Sequence, residues 1–175
     1  IEYLKNQTGV EVNKNLVYDL RSNESVSMGN GQMRYILPYP LWIRAIKASS
    51  SSSITAKLDS ATFPWASSLE INNDILAEKG FEKEELFVTS DQAGTESSSF
   101  NISPDQKFSA QNLGKKLIAI ALSSKQDEGK GGRIVVVGDA DFLSDQSVQS
   151  SPTNFSFGLE AISWLSQESS LSQIR

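Results

Sequence analysis

Three carboxylates crowd the end of one short apolar run. Ile134-Val135-Val136-Val137 is followed by Gly138-Asp139-Ala140-Asp141-Phe142-Leu143-Ser144-Asp145. Asp139, Asp141 and Asp145 are the candidate ligand-binding residues of the chain. Carboxylates so spaced offer hard oxygen ligands to Mg²⁺ or Ca²⁺, with water completing the shell. The pattern is not that of an EF-hand loop, which needs further acidic or amide ligands, a glycine and a distal Glu. The plainer role is structural: Asp139 and Asp141 cap the turn by accepting local backbone N–H groups, while Phe142 anchors it in the core. The residues favour that role, so no metal and no cofactor is expected. Added Mg²⁺ or Ca²⁺ should leave the melting temperature unchanged, and Asp139→Asn should cost a modest part of the stability.

Other chemistry is pruned by two absences. The 175 residues include no Cys and no His, so there is no thiolate nucleophile, no zinc–sulfur site, no imidazole ligand and no Ser-His-Asp or Cys-His arrangement. Carboxylates, lysines, tyrosines and hydroxyls remain, and no catalytic residue is assigned. Gly129-Lys130-Gly131-Gly132 has the glycines of a phosphate loop, but it precedes a strand and lacks the Gly-Lys-Ser/Thr order, so it reads as a turn. Trp42 and Trp65, with Tyr35 and Tyr39, could form a sugar-stacking or peptide-binding surface, although packing in cores and edge strands is the commoner fate of such side chains. The Asn-X-Ser/Thr triplets at Asn6, Asn23, Asn101 and Asn154 are what a chain rich in Ser and Thr yields by chance.

The length suits one domain, residues 1–175, able to bury roughly 70% of the surface its unfolded chain exposes. Hydrophobic residues make up 38% and charged residues 21%, with a net charge of -5. That balance argues against nucleic acid or an anionic membrane surface as the main partner. No run of about 18 apolar residues occurs, so membrane contact is expected only through segments outside this chain. The lack of cysteine suits an oxidising compartment without requiring one.

The elements that position the carboxylates are read from periodicity and breakers. Ile1–Gln7 reads as the tail of a helix stopped at Gly9, and Val10–Asn13 leads into a strand at Leu16–Leu20. Residues 21–33 are polar and read as a flexible loop around Gly29-Asn30-Gly31. Leu41–Ile46 is a strand that Pro38 and Pro40 place at an edge or in a lead-in. Ser49–Ser53 is a solvated loop. Ala61–Ile71, interrupted by Pro64, suits an edge or a bulge. A short helix spans Asn73–Lys79 and ends at Gly80, Leu86–Thr89 is a brief strand, and Ser90–Ser99 is a loop. Lys116–Leu122 and Ile134–Val137 are apolar on both faces and joined by a turn too short for a helical crossover, which predicts antiparallel central neighbours. In α/β sheets ligands sit beyond the carboxyl ends of the strands, which is where the acidic loop falls. Asn154 is the candidate cap of a following helix. Phe155, Leu159, Ile162 and Leu165 recur on one face of it, predicting core scaffolding worth on the order of 6–12 kcal/mol gross.

Several of these segments together resemble a known bacterial family. They are Ile54-Thr55-Ala56-Lys57-Leu58-Asp59-Ser60, Phe63-Pro64-Trp65-Ala66-Ser67-Ser68-Leu69-Glu70, Arg133 to Ser144, and the ending Asn154 to Leu165 followed by Leu171-Ser172-Gln173-Ile174-Arg175. In this order they resemble the auxiliary component of ABC-type transport systems linked to gliding motility, the GldG-like proteins. The resemblance implies an α/β fold: a mixed β-sheet flanked by helices in the three-layer manner of class I glutamine amidotransferases (flavodoxin-like), incomplete at the N-terminus. It also implies a portion of a longer, membrane-anchored protein whose soluble part lies on the extracytoplasmic, periplasmic side of a bacterial envelope. Related domains occur in intraflagellar transport proteins, where they serve assembly.

The function expected from residues and resemblance together is a non-catalytic domain acting by protein–protein contact. Its expected partner is the transporter permease or a sister auxiliary subunit, recognised through the loops at 21–33 and 90–99. The alternative is a carbohydrate- or small-ligand-binding module using the crevice at the carboxyl ends of the strands. A divalent-cation-dependent hydrolase built on the acidic cluster is a third reading.

Overall fold

A computed structural model describes residues 2–29, 33–49, 51–124 and 132–166. Helix α1 (Glu2–Thr8) ends at Gly9, whose φ of 76° takes the left-handed turn that releases the chain into β1 (Val10–Val12). Strands β2 (Leu16–Asp19), β3 (Asn23–Met28), β4 (Tyr35–Lys47), β5 (Ser60–Pro64) and β6 (Leu69–Ile71) follow. Helix α2 (Asn73–Glu78) starts at Asn72, whose side chain accepts from the Asp74 and Ile75 amides. Then come β7 (Phe81–Val88), β8 (Ala93–Glu96), β9 (Leu117–Ser124), β10 (Arg133–Val137), α3 (Asp145–Ser150) and α4 (Pro152–Ser166).

The molecule is a mixed α/β fold, a large sheet flanked by helices. Eight strands form that sheet in the order β1-β6-β9-β7-β4-β3, with β10 added beside β9 and β5 beside β4; β2 and β8 make a separate pair. Every pairing among the described residues is antiparallel. The rule that places ligands beyond the carboxyl ends of parallel strands therefore has no purchase on these ladders.

Strand β9 shows how the layers are built. Ala119 and Ala121 face a cluster with Ile43, Phe63, Leu86 and Phe87 that α4 covers through Phe157 and Ala161. Ile120 and Leu122 face the opposite way, into a cluster with Val10, Leu69 and Leu76 on the side of α1 and α2. Four phenylalanines, Phe63, Phe87, Phe142 and Phe157, meet at ring-centre distances between 5.0 and 6.2 Å in the first cluster. Such tilted and edge-on pairs add to the burial of their area.

Strand β10 pairs with β9 from Arg133↔Ser123 to Val137↔Ala119, as expected. It is not a central strand, however. Among the described residues it has no second neighbour, and of its five residues only Val136 is fully buried. Val135 and Val137 pack on the first cluster, Ile134 and Val136 on the second. Apolar character on both faces reports cover above and below the sheet, and says nothing about a lateral neighbour.

Helix α4 corrects a second expectation. Phe155, Leu159, Ile162 and Leu165 are exposed, and the buried face carries Asn154, Phe157, Gly158 and Ala161. The face that packs is the one that meets the first cluster: Phe157 and Ala161 join it, and Gly158 lies so near the acidic loop that a Cβ there would be 2.8 Å from the Leu143 side chain. The burial energy expected of the four-residue stripe is therefore not gained in this chain. Asn154 is also not a cap. It lies inside α4, where its Nδ2 donates to the carbonyls of Thr62 and Phe142 and its Oδ1 accepts from the Thr62 amide at 2.9 Å. The side-chain amide thus completes both backbone groups of Thr62 on the free side of β5.

Two stretches expected as loops carry strands, and a helix that the residues did not announce follows the acidic loop. Residues 21–33 contain β3, residues 90–99 contain β8, and α3 follows the acidic loop, capped by Ser144. The polar sequence of β3 suits an edge strand, since β4 is its one partner. Pro38 and Pro40 lie in the half of β4 whose pairing is with β3, as a strand without N–H donors at those points requires. Of the serine run, Ser51 and Ser53 are exposed and Ser49 is half-buried, but Ser52 is buried. The Gly-rich turn at 129–131 and the ending at 171–175 lie outside the described residues.

Candidate functional site

The acidic loop is shaped first by Gly138. Its carbonyl accepts from Ser67 N at 2.7 Å and its amide donates to Ile118 O at 2.9 Å, so the chain is gripped from both sides. A Cβ at Gly138 would fall 2.0 Å from the Ser67 carbonyl oxygen, which leaves glycine as the residue that fits. The Val-Gly-Asp strand end is thus a close backbone crossing. One residue later Asp139 turns inward, 8% exposed, and its Oδ1 accepts from Asp141 N at 2.6 Å. Its Oδ2 has no hydrogen-bond partner among the described residues. Burial pushes the carboxyl up to about 7, and the nearby Asp141 charge adds to the rise while the Asp141 amide opposes it.

The three carboxylates do not converge. Asp139 is buried, whereas Asp141 and Asp145 are exposed and open onto a cavity of about 520 Å³. Among the described residues no group of three His, Cys, Asp or Glu side chains is arranged to hold a metal ion. The turn reading holds for Asp139, which caps the Asp141 amide, and for Phe142, which packs into the phenylalanine cluster. It does not extend to the Asp141 carboxylate, which makes no hydrogen bond or ion pair among the described residues.

The cavity lining also has an aromatic part. Trp42, Pro64 and Trp65 line it together with Glu24, Thr62 and a row of serines from α3 and its flanks. The two indoles meet at 82° with centres 5.8 Å apart, and Tyr39 lies 5.7 Å from Trp42. Trp65 takes a φ of 54°, a left-handed conformation that a bulky side chain rarely adopts. Two bonds hold it there: its amide donates to Leu41 O at 2.8 Å and its Nε1 to Tyr39 Oη at 2.9 Å. Strain of this kind, about 1–3 kcal/mol, persists where surrounding contacts over-determine it. Tyr39 is itself buried, and burial raises its hydroxyl pKa. Trp42 Nε1 is buried without a hydrogen-bond partner among the described residues.

Glu24 is the third carboxylate on the cavity, and it is neutralised. Its Oε1 accepts from Arg44 Nε at 3.1 Å and from Thr62 Oγ1 at 3.2 Å. No Lys or Arg lines this cavity, and among the described residues none pairs with Asp141 or Asp145. The site can therefore receive a positive or hydroxyl-bearing group among aromatic side chains and two free carboxylates.

Two of the three expected residues reach this cavity and Asp139 does not. Trp42 and Trp65 join the third core cluster, as packing predicts, and still present surface to the cavity. Tyr35 stands apart, 57% exposed on the outer half of β4. Glu24 and Thr62 carry no signal in spacing, because β3, β5 and the acidic loop are brought together only by the sheet.

A model of the family described as an ABC-type uncharacterized transport system, auxiliary component, matches residues 2–167. The chain belongs to this family of ABC transport auxiliary proteins. No curated protein and no solved structure matches it. Among the described residues no helix of this auxiliary protein is long and apolar enough to cross a membrane.

Proposed function

We propose that this auxiliary protein is a non-catalytic, extracytoplasmic recognition domain of its transport system, docking on the permease or a sister auxiliary subunit. The observation that carries the reading is the outer half of the β3–β4 hairpin. Met28 pairs with Tyr35 and Val26 with Leu37 on one face, Ile36 projects from the other, and Tyr35 Oη reaches Met33 Sδ at 3.1 Å. Met28, Met33, Tyr35, Ile36 and Leu37 are all exposed. An apolar patch on a projecting strand pair is unusual for a free monomer and ordinary for a docking surface. It overlaps the segment 21–33 expected to carry recognition. The absence of Cys and His from the sequence supports a domain without acyl-transfer chemistry.

Co-expression of the full-length protein with the permease encoded beside its gene tests this. Tyr35→Ser with Ile36→Asp should abolish co-purification while the melting temperature stays within a degree or two. Undiminished association of that variant, or no association of the wild type, overturns the docking surface. The GldG-like assignment within the family rests on the motif order alone, and a gliding defect on deletion would support it. Because the chain is free of cysteine, a single engineered Cys at exposed Ser53 reports location: labelling by an impermeant maleimide in intact cells supports the periplasmic side, and protection refutes it.

A further inference from the structure

The cavity between the tryptophan pair and the acidic loop has a charge and shape that the docking proposal does not use. Its lining includes two nearly perpendicular indoles, Trp42 and Trp65, the second held by a hydrogen bond to Tyr39. Its rim carries Asp141 and Asp145, unpaired with any basic group among the described residues, while Glu24 is already held by Arg44. The geometry points to a binding site for a small organic cation, an alkylammonium or guanidinium group seated on the indole faces and balanced by Asp141 and Asp145.

Three observations favour a cation over other occupants. Indole faces attract cations through the ring quadrupole, most strongly where two rings meet at an angle and water is partly excluded. Two carboxylates without a basic partner among the described residues line one cavity, and a positive charge placed among them gains Coulomb energy that a neutral polyol does not. The same negative field is felt by buried Asp139, whose proton affinity rises partly through Asp141. An inorganic divalent ion fits poorly, because the carboxylates do not form a cage and part of the cavity lining is aromatic. The short helix α3 puts its positive end near the rim, but Ser144 caps the Ser147 amide and Asp145 occupies the first turn, so the helix does not cancel the acidic field. A volume of about 520 Å³ suits a ligand the size of an amino-acid side chain or a short polyamine. The bonds from Trp65 to Leu41 O and Tyr39 Oη hold the indole in place before any ligand arrives.

Tryptophan fluorescence and titration calorimetry on the 175-residue chain, with choline, spermidine, glucose and Mg²⁺ as separate probes, test the assignment. Choline or spermidine should give a saturable change that weakens as salt is raised. Asp141→Asn with Asp145→Asn, both on exposed side chains, should weaken it about tenfold or more while leaving the circular dichroism melt unchanged. Should the double variant melt early, Asp141→Asn alone supplies the comparison. No saturable response to either ammonium compound at millimolar concentration overturns the proposal. So does a response to glucose that is indifferent to the Asp variants, or displacement of the ammonium probe by Mg²⁺ at equal concentration. Loss of permease binding in Tyr35→Ser with Ile36→Asp leaves this result untouched, because that arm does not line the cavity.

Discussion

Two buried aspartates, each at the end of a strand, are treated in opposite ways. Asp19 closes β2 and is fully buried. Its Oδ1 accepts from the Arg21 and Ser22 amides, both at 2.9 Å, and from Ser90 Oγ at 2.7 Å, while its Oδ2 accepts from Ser90 N at 2.7 Å. Asp139 follows β10, nearly as buried, with one bond from Asp141 N and an oxygen without a hydrogen-bond partner among the described residues. The first carboxylate is a clamp joining the β2–β3 turn to the β7–β8 loop. The second is held by the turn but not satisfied by it, and so it keeps its proton to higher pH. Burial alone does not decide what a carboxylate does; the number of donors that reach it does.

Removing the clamp should have one of the largest effects. Asp19→Ala removes the acceptor of four part-buried bonds from three residues in two loops and should cost about 2–4 kcal/mol in a urea unfolding curve. A loss under about 1 kcal/mol means water replaces the carboxylate, and the contrast with Asp139 fails. Asn154→Ala extends the comparison to a neutral group with as many partners. It leaves both backbone groups of Thr62 and the Phe142 carbonyl unpaired, with an expected loss of about 2–4 kcal/mol.

Asp139 should instead show its character through pH. Its carboxyl titrates near 7 in the folded chain against an ordinary value of 3.8. Below about pH 4 the folded and unfolded forms both hold the proton. Between about 4 and 7 the unfolded chain releases it first, so stability falls as pH rises, and above 7 the full cost of the buried charge is present. Asp139→Asn keeps an acceptor for the Asp141 amide and removes that charge. It should lose stability modestly at pH 4.5, as expected from the weakened turn, and gain on the order of 1–3 kcal/mol relative to wild type at pH 8.5. A parallel pH profile for the two proteins sinks the assignment.

The smallest effects belong to groups without burial or convergence. Leu159→Ser should shift stability by no more than about 0.5 kcal/mol, against about 3–5 kcal/mol for Phe157→Ala two positions earlier on the buried face. Millimolar Mg²⁺ or Ca²⁺ should leave the melting temperature within experimental scatter, since Asp139 points inward while Asp141 and Asp145 open onto the cavity. A saturable rise lost in Asp139→Asn overturns the separation of the three carboxylates.

Much of this molecule was legible from residue order. Gly9 and Gly80 stop their helices, Pro38 and Pro40 confine the outer part of β4 to one neighbour, and β9 and β10 pair antiparallel because their turn is too short to cross over. The position of Phe142 as a core anchor was equally plain. What failed did so for a common reason. The stripe of α4 was read by hydrophobicity, whereas the face that packs carries Asn154, Phe157, Gly158 and Ala161, set by what the sheet and the acidic loop present to it. Strands β3 and β8 escaped because edge strands tolerate polar residues and carry little periodicity. The cavity was half visible: the acidic residues stood out, and the tryptophans stood out, but nothing in their separation of about seventy to one hundred positions joins them.

By itself, then, the sequence determined the absence of thiol and imidazole chemistry, the antiparallel pairing of β9 with β10, the helix stops and the acidic turn, because each depends on residue type or on spacing along the chain. Only the tertiary structure decided which face of α4 is buried, which of three aspartates lies inside, and that Trp42 and Trp65 line one cavity with Asp141 and Asp145. Those outcomes depend on which segments lie beside each other across the sheet, and Gly138, by letting the chain pass within bonding distance of Ser67, is one of the residues that brings them there.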